Sequence, residues 1–219
     1  MVNFLKVAPS TDPVKNEDEL LSYAKKLNGI ADFLHCDVMS SNFVGHDTIN
    51  FETVKNIYGR TLLPLDVHLM VNEPLNQVKK YIDAGAQIVT VHFEAFKDKR
   101  KLEKCLKKIN SLGVMAGIAI NPDTEVVEAM PYFAYADLVL IMSVFPGKSG
   151  QRFKESTFVK VKKLKQIKDD YGARFKIEVD GGITPEISKR LKTLGVDIIV
   201  SGNYIYSAED RARAIEELK

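Results

Sequence analysis

Four polar residues that are suited to metal binding fall at the ends of short apolar runs in the sequence. His35 and Asp37 lie in the second run, His68 in the third and Asp180 in the seventh. Because side chains alternate between the two faces of a strand, His35 and Asp37 are predicted to share one face. If the ends of these runs meet, the four side chains form a set of two imidazoles and two carboxylates. Such a set is suited to one divalent ion: Zn²⁺, Fe²⁺, Mn²⁺ or Co²⁺.

Each of these residues also has a simpler interpretation. A single histidine at a strand end is often a hydrogen-bonded core residue, and a single aspartate often caps a helix. The combination favours a ligand set, because an unpaired buried carboxylate is costly. Asp66 and Glu178 fit either as partners that orient the ligands or as members of a core salt bridge. Cys36 points away from its two polar neighbours and is interpreted as packing, and His46 as a surface residue.

Glycine-rich segments follow three of the later runs and predict an anion site. Glycine lets backbone N–H groups approach an anion closely, and barrel enzymes often bind phosphate with the loops after strands seven and eight. One such turn would carry little weight, but three at the same end of a sheet indicate phosphate. The segments are Phe145-Pro146-Gly147-Lys148-Ser149-Gly150-Gln151, Asp180-Gly181-Gly182 and Ser201-Gly202-Asn203.

The elements that would position these residues follow from an alternation of short apolar runs with longer amphipathic stretches. Continuous apolar runs are typical of parallel strands that are covered on both faces. Eight runs favour a closed barrel over an open doubly wound sheet, and 219 residues fit one such domain. We therefore predict an α/β fold, a single (β/α)8 TIM barrel over residues 1–219. The predicted strands are 4–8, 33–39, 63–70, 88–92, 114–120, 138–144, 175–180 and 197–201; predicted helices include 17–27, 75–84, 99–112, 153–171 and 186–194.

Local signals mark several helix boundaries in this pattern. Gly85, Gly113 and Gly195 stand where a helix gives way to the next strand, and glycine there can take the left-handed conformation that ends a helix. Thr184 and Pro185 mark a helix start, with the threonine as the cap and the proline at the first helical position.

Composition argues against several classes of protein. A net charge of +2 and a pI of about 8.3 do not favour nucleic-acid binding driven by bulk charge. The lysine-rich stretch 160–168 has helical spacing and is interpreted as a solvated helix face. No apolar run reaches the roughly 18–20 residues that span a membrane, and no signal peptide is visible, so we expect a cytoplasmic protein without membrane contact. Cys36 and Cys105 match no disulfide or metal pattern and are expected to be reduced.

Together, these motifs resemble the ribulose-phosphate 3-epimerase family over nearly the whole chain. Their order and spacing match the family, whose fold is a ribulose-phosphate-binding barrel. The motifs are Ala8-Pro9-Ser10, His35-Cys36-Asp37-Val38-Met39, Asp66-Val67-His68-Leu69-Met70-Val71, His92-Phe93-Glu94-Ala95, Gly117-Ile118-Ala119-Ile120-Asn121-Pro122, Pro146-Gly147 with Gly150-Gln151, and Val179-Asp180-Gly181-Gly182-Ile183.

The resemblance implies a role for each candidate residue. His35, Asp37, His68 and Asp180 would bind one divalent metal ion, and Asp37 and Asp180 would also be the acid–base pair of a 3-epimerisation through a metal-stabilised enediolate. A sugar phosphate would be the substrate and a homo-oligomer the assembly. Contacts to the substrate or its phosphate would come from Ser10, His68, Gly147, Lys148, Ser149, Gly150, Asp180, Gly181, Gly182, Gly202 and Asn203. The reacting carbons would be lined by Met39, Met70 and Met142.

The sequence departs from the family in three loops, and the departures bear on the sugar. After strand two, Ser40-Ser41 replaces the usual Asp-Gly; after strand six, Lys148-Ser149 replaces Phe-Gly, with Phe145 where Asn or Asp is common; after strand eight, Asn203 replaces Ser. None of these positions is a proposed ligand. Lys148 fits either a direct pair with the phosphate or an exposed position.

The resemblance makes epimerisation of D-ribulose 5-phosphate to D-xylulose 5-phosphate the leading expectation, and three alternatives to it follow. The first keeps the chemistry and changes the sugar, for instance to D-allulose 6-phosphate. The second is a decarboxylase on the same barrel, but such enzymes carry Asp-x-Lys-x-x-Asp at a strand end, and Asp37-Val38-Met39 has no lysine at that spacing. The third is a non-catalytic sugar-phosphate binder, which would not require two carboxylates.

Overall fold

The fold is built on parallel strands that alternate with helices. A computed structural model describes residues 4–147 and 150–219, and these residues contain eight strands. The strands are β1 (Lys6–Pro9), β2 (Leu34–Met39), β3 (Leu65–Met70), β4 (Ala86–His92), β5 (Met115–Ile120), β6 (Leu138–Met142), β7 (Lys176–Asp180) and β8 (Ile198–Ser201).

Helices connect successive strands along the chain. They are α1 (Glu17–Lys26), α2 (Ser41–Val44), α3 (Phe51–Tyr58), α4 (Val78–Asp83), α5 (Lys99–Ser111), α6 (Val126–Ala129), α7 (Ser156–Asp170), α8 (Pro185–Thr193), α9 (Asn203–Tyr206) and α10 (Arg211–Leu218). Short 3-10 helices lie at Pro74–Asn76, Phe93–Ala95 and Met130–Tyr135. In the part of the chain that the structure describes, no helix has the length and apolar character needed to cross a membrane.

The strands form one parallel sheet that closes on itself. Its order is β1-β8-β7-β6-β5-β4-β3-β2, and the two ends of this order meet at a seam. At the seam, Ser10 and His35 form a parallel bridge, the Thr11 N–H donates to the His35 carbonyl (2.9 Å), and the Asp32 N–H donates to the Val7 carbonyl (3.1 Å). The predicted (β/α)8 barrel is confirmed.

Side-chain alternation along the strands separates two apolar layers. Residues that face outward, including Cys36 and Val38 of β2, join the layer between the sheet and the helices. The interior holds a smaller apolar cluster: Ala8, Ile88, Ala119, Leu138, Leu140, Met142, Ile198 and Val200. Cys36 is therefore a packing residue, as predicted. The alternation leaves His35 and Asp37 on the inner face, at the carboxyl end of the barrel.

The local signals at helix boundaries are confirmed. Gly85, Gly113 and Gly195 all have positive φ, at 108°, 78° and 82°. The Thr184 hydroxyl accepts a hydrogen bond from the Ile187 N–H, and Pro185 is the first residue of α8.

Three details differ from the sequence prediction, and one is the helix predicted over 153–171, which begins only at Ser156. The predicted helix 75–84 begins only at Val78, because the preceding turn, Pro74–Asn76, is a 3-10 helix in which the Gln77 N–H donates to the Pro74 carbonyl (2.8 Å). Lys160 does not lie on a solvated face. It is buried, and its ammonium donates to the carbonyls of Asn121 (2.6 Å) and Pro122 (3.2 Å), so it braces the loop after β5.

Candidate active site

Four buried or partly buried polar side chains from three strands converge inside the carboxyl end of the barrel. His35 and Asp37 come from β2, His68 from β3 and Asp180 from β7. The register pairs Asp37 with His68 across β2 and β3, which places their side chains on the same face. One donor atom from each residue lies within 4.8 Å of the others. The structure therefore brings together the four residues that the sequence predicts as ligands.

The closest atoms of this cluster fit a positively charged occupant. His35 Nε2 lies 3.3 Å from Asp37 Oδ1 and 3.3 Å from His68 Nδ1, and His68 Nδ1 lies 3.3 Å from the same Asp37 oxygen. The other ring nitrogen of His35, Nδ1, lies 2.6 Å from Asp66 Oδ2. Lone pairs crowded at such distances repel each other unless a proton or a cation lies among them. Two imidazoles and two carboxylates form a donor set that can hold a divalent metal ion.

The two carboxyl groups of the cluster have opposite electrostatic environments. Burial raises the pKa of Asp37, but the charge and hydrogen bonding of His35, together with the proximity of His68, outweigh this effect and hold the pKa well below its usual range. Burial and the neighbouring Asp37 charge raise the pKa of Asp180 to about 7. Ser10 adds to the difference, since its hydroxyl donates to Asp37 Oδ2 at 2.6 Å. The protein's own groups thus favour an ionised Asp37 beside an Asp180 that can carry a proton near neutral pH.

A second set of residues contacts the ring nitrogens of His35 and His68 that point away from Asp37. Asp66 contacts His35 directly, as described above. His68 Nε2 lies 2.8 Å from His92 Nε2, and His92 Nδ1 lies 3.1 Å from Glu94 Oε2. Burial lowers the pKa of His68 to about 4, although the nearby Asp37 carboxylate opposes the effect. The two histidines of the cluster are thus held differently, His35 by a carboxylate and His68 by a further histidine.

Two glutamates near the cluster, Glu94 beside His92 and Glu178 beside His35, differ in their electrostatic environments. Burial raises the pKa of Glu94, but its contact with His92 and hydrogen bonds from Asn121 and Thr124 lower the pKa to about 2. Burial and the charge of Asp66 raise the pKa of Glu178 well above its usual range. Glu94 is therefore an ionised acceptor, whereas the surroundings of Glu178 favour its neutral form.

A cavity of about 540 Å³ opens above the cluster. Ser10, Asp37 and Asp180 line it, which places both carboxyl groups at its inner wall. The predicted apolar lining is also in place, since the side chains of Met39, Met70 and Met142 line the same cavity. The volume falls within the range of pockets that hold small molecules.

Another part of the cavity wall is formed by the predicted glycine-rich loops. Its lining includes Gly147, Gly150, Gly181, Gly182, Gly202 and Asn203. Gly182 shows why glycine is needed, because its φ is 61° and a Cβ there would lie 2.6 Å from the Phe153 backbone nitrogen. The loops thus bring backbone to the cavity wall at a place where side chains would not fit.

Some of the predicted site residues have a different position or lie outside the described residues. His68 is fully buried and is not among the residues that line the cavity within the described ranges, so its ring contacts the cluster and not the open space. Lys148 and Ser149 lie outside the described residues. His46 is exposed, as predicted.

Sequence reasoning assigned no role to several residues that the structure places at the site. His92 contacts the candidate ligand His68, Glu94 contacts His92, and Arg152 lines the cavity. A signal for the first two was present, because His92 ends β4 just as His68 approaches the end of β3. For Arg152, the only sequence signal was its position directly after Gly150-Gln151.

The fold and the site together define a barrel enzyme with a pair of carboxyl groups and a potential metal cluster at one mouth. The model of the ribulose-phosphate 3 epimerase family matches residues 6–206. Ribulose-phosphate 3-epimerase of Bacillus subtilis is 38% identical over 219 residues, which cover 98% of this chain and 98% of that protein. The protein of the same name from Aquifex aeolicus is 36% identical, with 88% of this chain and 86% of that protein covered. The chain belongs to the ribulose-phosphate 3-epimerase family, and it is an epimerase, an enzyme of the isomerase class.

A more distant structural likeness agrees with the fold. The crystal structure of a 3-hexulose-6-phosphate synthase superposes with a TM-score of 0.69 and covers 97% of both chains. Its sequence identity to this chain is 18%, so this likeness shows the barrel alone.

Proposed function

We propose that this epimerase inverts the third carbon of a ketose phosphate, and that its substrate pair is D-ribulose 5-phosphate and D-xylulose 5-phosphate. The observation that carries the proposal is the pair Asp37 and Asp180. A carboxyl oxygen of each lies within 4.8 Å of the other, and β1 and β8 separate their strands around the barrel. The relatives named for this reaction support the choice of a pentulose phosphate.

The chemistry requires one group that removes a proton and another that returns one from the opposite side. The hydrogen on the carbon beside a ketone is weakly acidic, so its removal needs a base held in contact with it. Asp37, which the protein keeps ionised, is suited to that role, and Asp180, whose pKa is raised to about 7, is suited to proton return. The reverse reaction exchanges the two roles, with an enediolate formed between the two transfers.

His35, Asp37, His68 and Asp180 would hold a divalent metal ion, Zn²⁺, Fe²⁺, Mn²⁺ or Co²⁺. When bound, such an ion supplies a Lewis acid that polarises the ketone and makes its neighbouring proton easier to remove. Ser10 donates to Asp37 Oδ2 and fixes the orientation of the base. Met39, Met70 and Met142 exclude water from the reacting carbons with polarisable, apolar surface.

The phosphate of the substrate is assigned to the glycine-rich wall. Backbone N–H groups at the glycines of this wall, which have no side chain, and at Asn203 are suited to an anion; the glycines are Gly147, Gly150, Gly181, Gly182 and Gly202. Lys148 and Ser149 belong to the same loop in sequence and are included in this proposal. Replacing Lys148 by alanine should raise the Michaelis constant if its ammonium pairs with the phosphate, and an unchanged constant would remove that role.

One experiment tests the reaction and the metal together. Purified protein is analysed for bound divalent metals and is then incubated with D-ribulose 5-phosphate in deuterium oxide. We expect one equivalent of metal per active chain and deuterium at the third carbon of substrate and product. Protein that contains no divalent metal and exchanges no hydrogen at that carbon would overturn the proposal.

A second candidate keeps the reaction but changes the sugar to another ketose phosphate, such as D-allulose 6-phosphate. Phe145 favours it, because this aromatic residue lines the cavity in a loop that departs from the family pattern. Turnover of a panel of ketose phosphates separates the candidates. The substrate with the highest kcat/KM identifies the sugar.

The assembly is also a proposal. We expect residues 1–219 to fold as one domain and the chain to form a homo-oligomer. The closed sheet, which runs from Lys6 to Ser201, supports the first expectation, and the family resemblance supports the second. Calorimetric unfolding in a single transition and light scattering of the purified protein test the two in turn.

A further inference from the structure

The hydrogen bonds that connect His68 to His92 and Glu94 have a definite order of donors and acceptors. Glu94, at the end of this chain of contacts, sets that order. Glu94 Oε1 accepts hydrogen bonds from the Asn121 N–H (2.8 Å) and the Thr124 hydroxyl. Its other oxygen, Oε2, lies 3.1 Å from His92 Nδ1. An ionised carboxylate has no proton to donate, so His92 Nδ1 must carry the proton of that contact.

The next contact then follows from the chemistry of a neutral imidazole. When Nδ1 carries the proton, Nε2 has a lone pair and accepts. His92 Nε2 lies 2.8 Å from His68 Nε2, a separation that requires a proton between the two nitrogens. That proton belongs to His68 Nε2. His68 Nδ1 is left with a lone pair, and this is the atom that lies 3.3 Å from His35 Nε2 and from Asp37 Oδ1.

We infer that Glu94 and His92 are positioning residues that fix the tautomer of His68 and so direct its Nδ1 lone pair at the proposed metal site. The inference rests on the metal-binding part of the proposed function. Burial supports it, because His68 and His92 are both fully buried and the Phe43 ring lies 5.4 Å from that of His92, which leaves water little access to either ring.

The other histidine of the cluster is oriented in one step. His35 Nδ1 lies 2.6 Å from Asp66 Oδ2, the usual arrangement in which a carboxylate orients a metal-binding imidazole. For His68 the carboxylate is that of Glu94, which contacts His92, and His92 in turn contacts His68. This hydrogen-bond chain from Glu94 through His92 to His68 is called the relay. A single substitution at Glu94, which does not contact the proposed metal site, should therefore exchange the protonated and unprotonated nitrogens of both His92 and His68.

The decisive variant is Glu94→Gln. Its amide has one acceptor oxygen, which the Asn121 N–H requires, so its NH₂ group faces His92 Nδ1. An NH₂ group donates, and this reverses the sequence of donors: His92 Nε2 carries a proton, and so does His68 Nδ1. The lone pair that faces the proposed metal site is thereby lost while the shape of the side chain is kept.

The first measurement is the affinity of the full-length protein for Co²⁺, determined by chelator competition together with the visible absorption of the bound ion. For Glu94→Gln we expect affinity to fall by about 10–100-fold, the usual range for changes behind a metal ligand. Glu103→Gln, the same substitution on the exposed side of α5, is the matched control and should bind Co²⁺ as the unsubstituted protein does. Equal affinity in the unsubstituted protein and Glu94→Gln would overturn the inference.

The second measurement reads the tautomers directly in metal-free protein. Long-range ¹H–¹⁵N spectra distinguish a protonated from an unprotonated ring nitrogen, and the chain has four histidines, of which the exposed His46 is removed by His46→Gln. We expect the His68 proton on Nε2 in the unsubstituted protein and on Nδ1 in Glu94→Gln. A His68 proton on Nδ1 in the unsubstituted protein would contradict the relay.

A conservative variant separates positioning from packing. His92→Gln keeps an acceptor oxygen within reach of His68 Nε2, whereas His92→Phe keeps a ring without an acceptor. We expect His92→Gln to bind Co²⁺ more tightly than His92→Phe, and equal affinities would count against the relay. If the unsubstituted protein binds no Co²⁺, the proposed metal site fails, but the tautomer spectra still decide the relay because they need no metal.

Discussion

The two walls of the candidate site are built from different parts of the chain. At strands β2 to β4, buried side chains hold one another through hydrogen bonds, as in the contacts of His35 with Asp66 and of His68 with His92. At strands β6 to β8, the cavity wall includes the glycine loops around Gly181-Gly182 and Gly202. The first wall should therefore be sensitive to a change in protonation or in a hydrogen-bond donor, and the second to a change in volume.

The largest expected effect comes from removing a reacting carboxylate while keeping its shape. Asp37→Asn and Asp180→Asn should each lower kcat by about 10²–10⁴-fold, because an amide cannot take part in the proton transfers. Stability of the metal-free fold should change much less. The assay is turnover of D-ribulose 5-phosphate, with Asp83→Asn on the exposed side of α4 as the control. Near-normal turnover in either variant would contradict the two-carboxylate mechanism.

The glycine wall is tested by a pair of positions that share a backbone conformation. Gly182 and Gly172 both have a φ of 61°, but a Cβ at Gly182 would lie 2.6 Å from the Phe153 nitrogen, whereas one at Gly172 meets nothing within 4 Å. Alanine at either position should cost about 1–2 kcal/mol of unfolding free energy from backbone strain. Gly182→Ala should also raise KM about tenfold, as expected if the displaced loop loses about 1.4 kcal/mol of phosphate binding.

Urea unfolding and steady-state kinetics of the two glycine variants provide the measurement. The comparison between the walls predicts that Gly172→Ala loses stability alone, with KM unchanged. Equal KM values for the two variants would show that this loop does not hold the phosphate.

A smaller effect is expected at Ser10, where the two walls meet beside the seam between β1 and β2. Its hydroxyl donates to Asp37 Oδ2 at 2.6 Å and stabilises the ionised carboxylate. In Ser10→Ala the pKa of Asp37 should rise, so the acidic limb of the pH–rate profile, where Asp37 becomes protonated, should move to higher pH. The maximal rate should fall about tenfold, the loss that corresponds to one charge-assisted hydrogen bond.

The pH–rate profile of kcat is the measurement for this variant, with Ser111→Ala at the end of α5 as the control. An acidic limb at unchanged pH would mean that the Ser10 hydroxyl does not act on Asp37. The position would then contribute to substrate contact alone.

Much of the fold could be predicted because its signals are local. The apolar runs mark the strands, whose observed ends differ from the predicted ones by at most two residues. Helices such as α3, Phe51–Tyr58, were not singled out, although Asn50 caps this helix by accepting from Glu52 and Thr53 N–H groups. The sequence predicts the start of α4 too early, because the preceding turn is a 3-10 helix and the pattern of apolar residues does not distinguish the two kinds of helix.

The candidate ligands could also be predicted, because alternation along a strand and the active end of a barrel are general rules. The contact of His92 with His68 could not, although the position of His92 at the end of β4 could. The register between β3 and β4 shifts between Leu65 and Asp66, so that Leu65 pairs with Ala86 and Asp66 with Ile88. A shift of one residue exchanges the two faces of a strand, and this shift turns His92 toward His68.

The sequence alone determined the alternating barrel, the four candidate ligands and the glycine loops. The strands and loops follow from local sequence patterns, and the candidate ligands follow from side-chain alternation and from the rule that barrel active sites lie at the carboxyl ends of the strands. Tertiary structure alone decided which nitrogen of His68 faces Asp37, how Glu94 acts through His92 and why Asp37 and Asp180 differ in pKa. Those properties arise from contacts between strands and from burial, which vary with every ångström of separation and leave no local pattern in the chain.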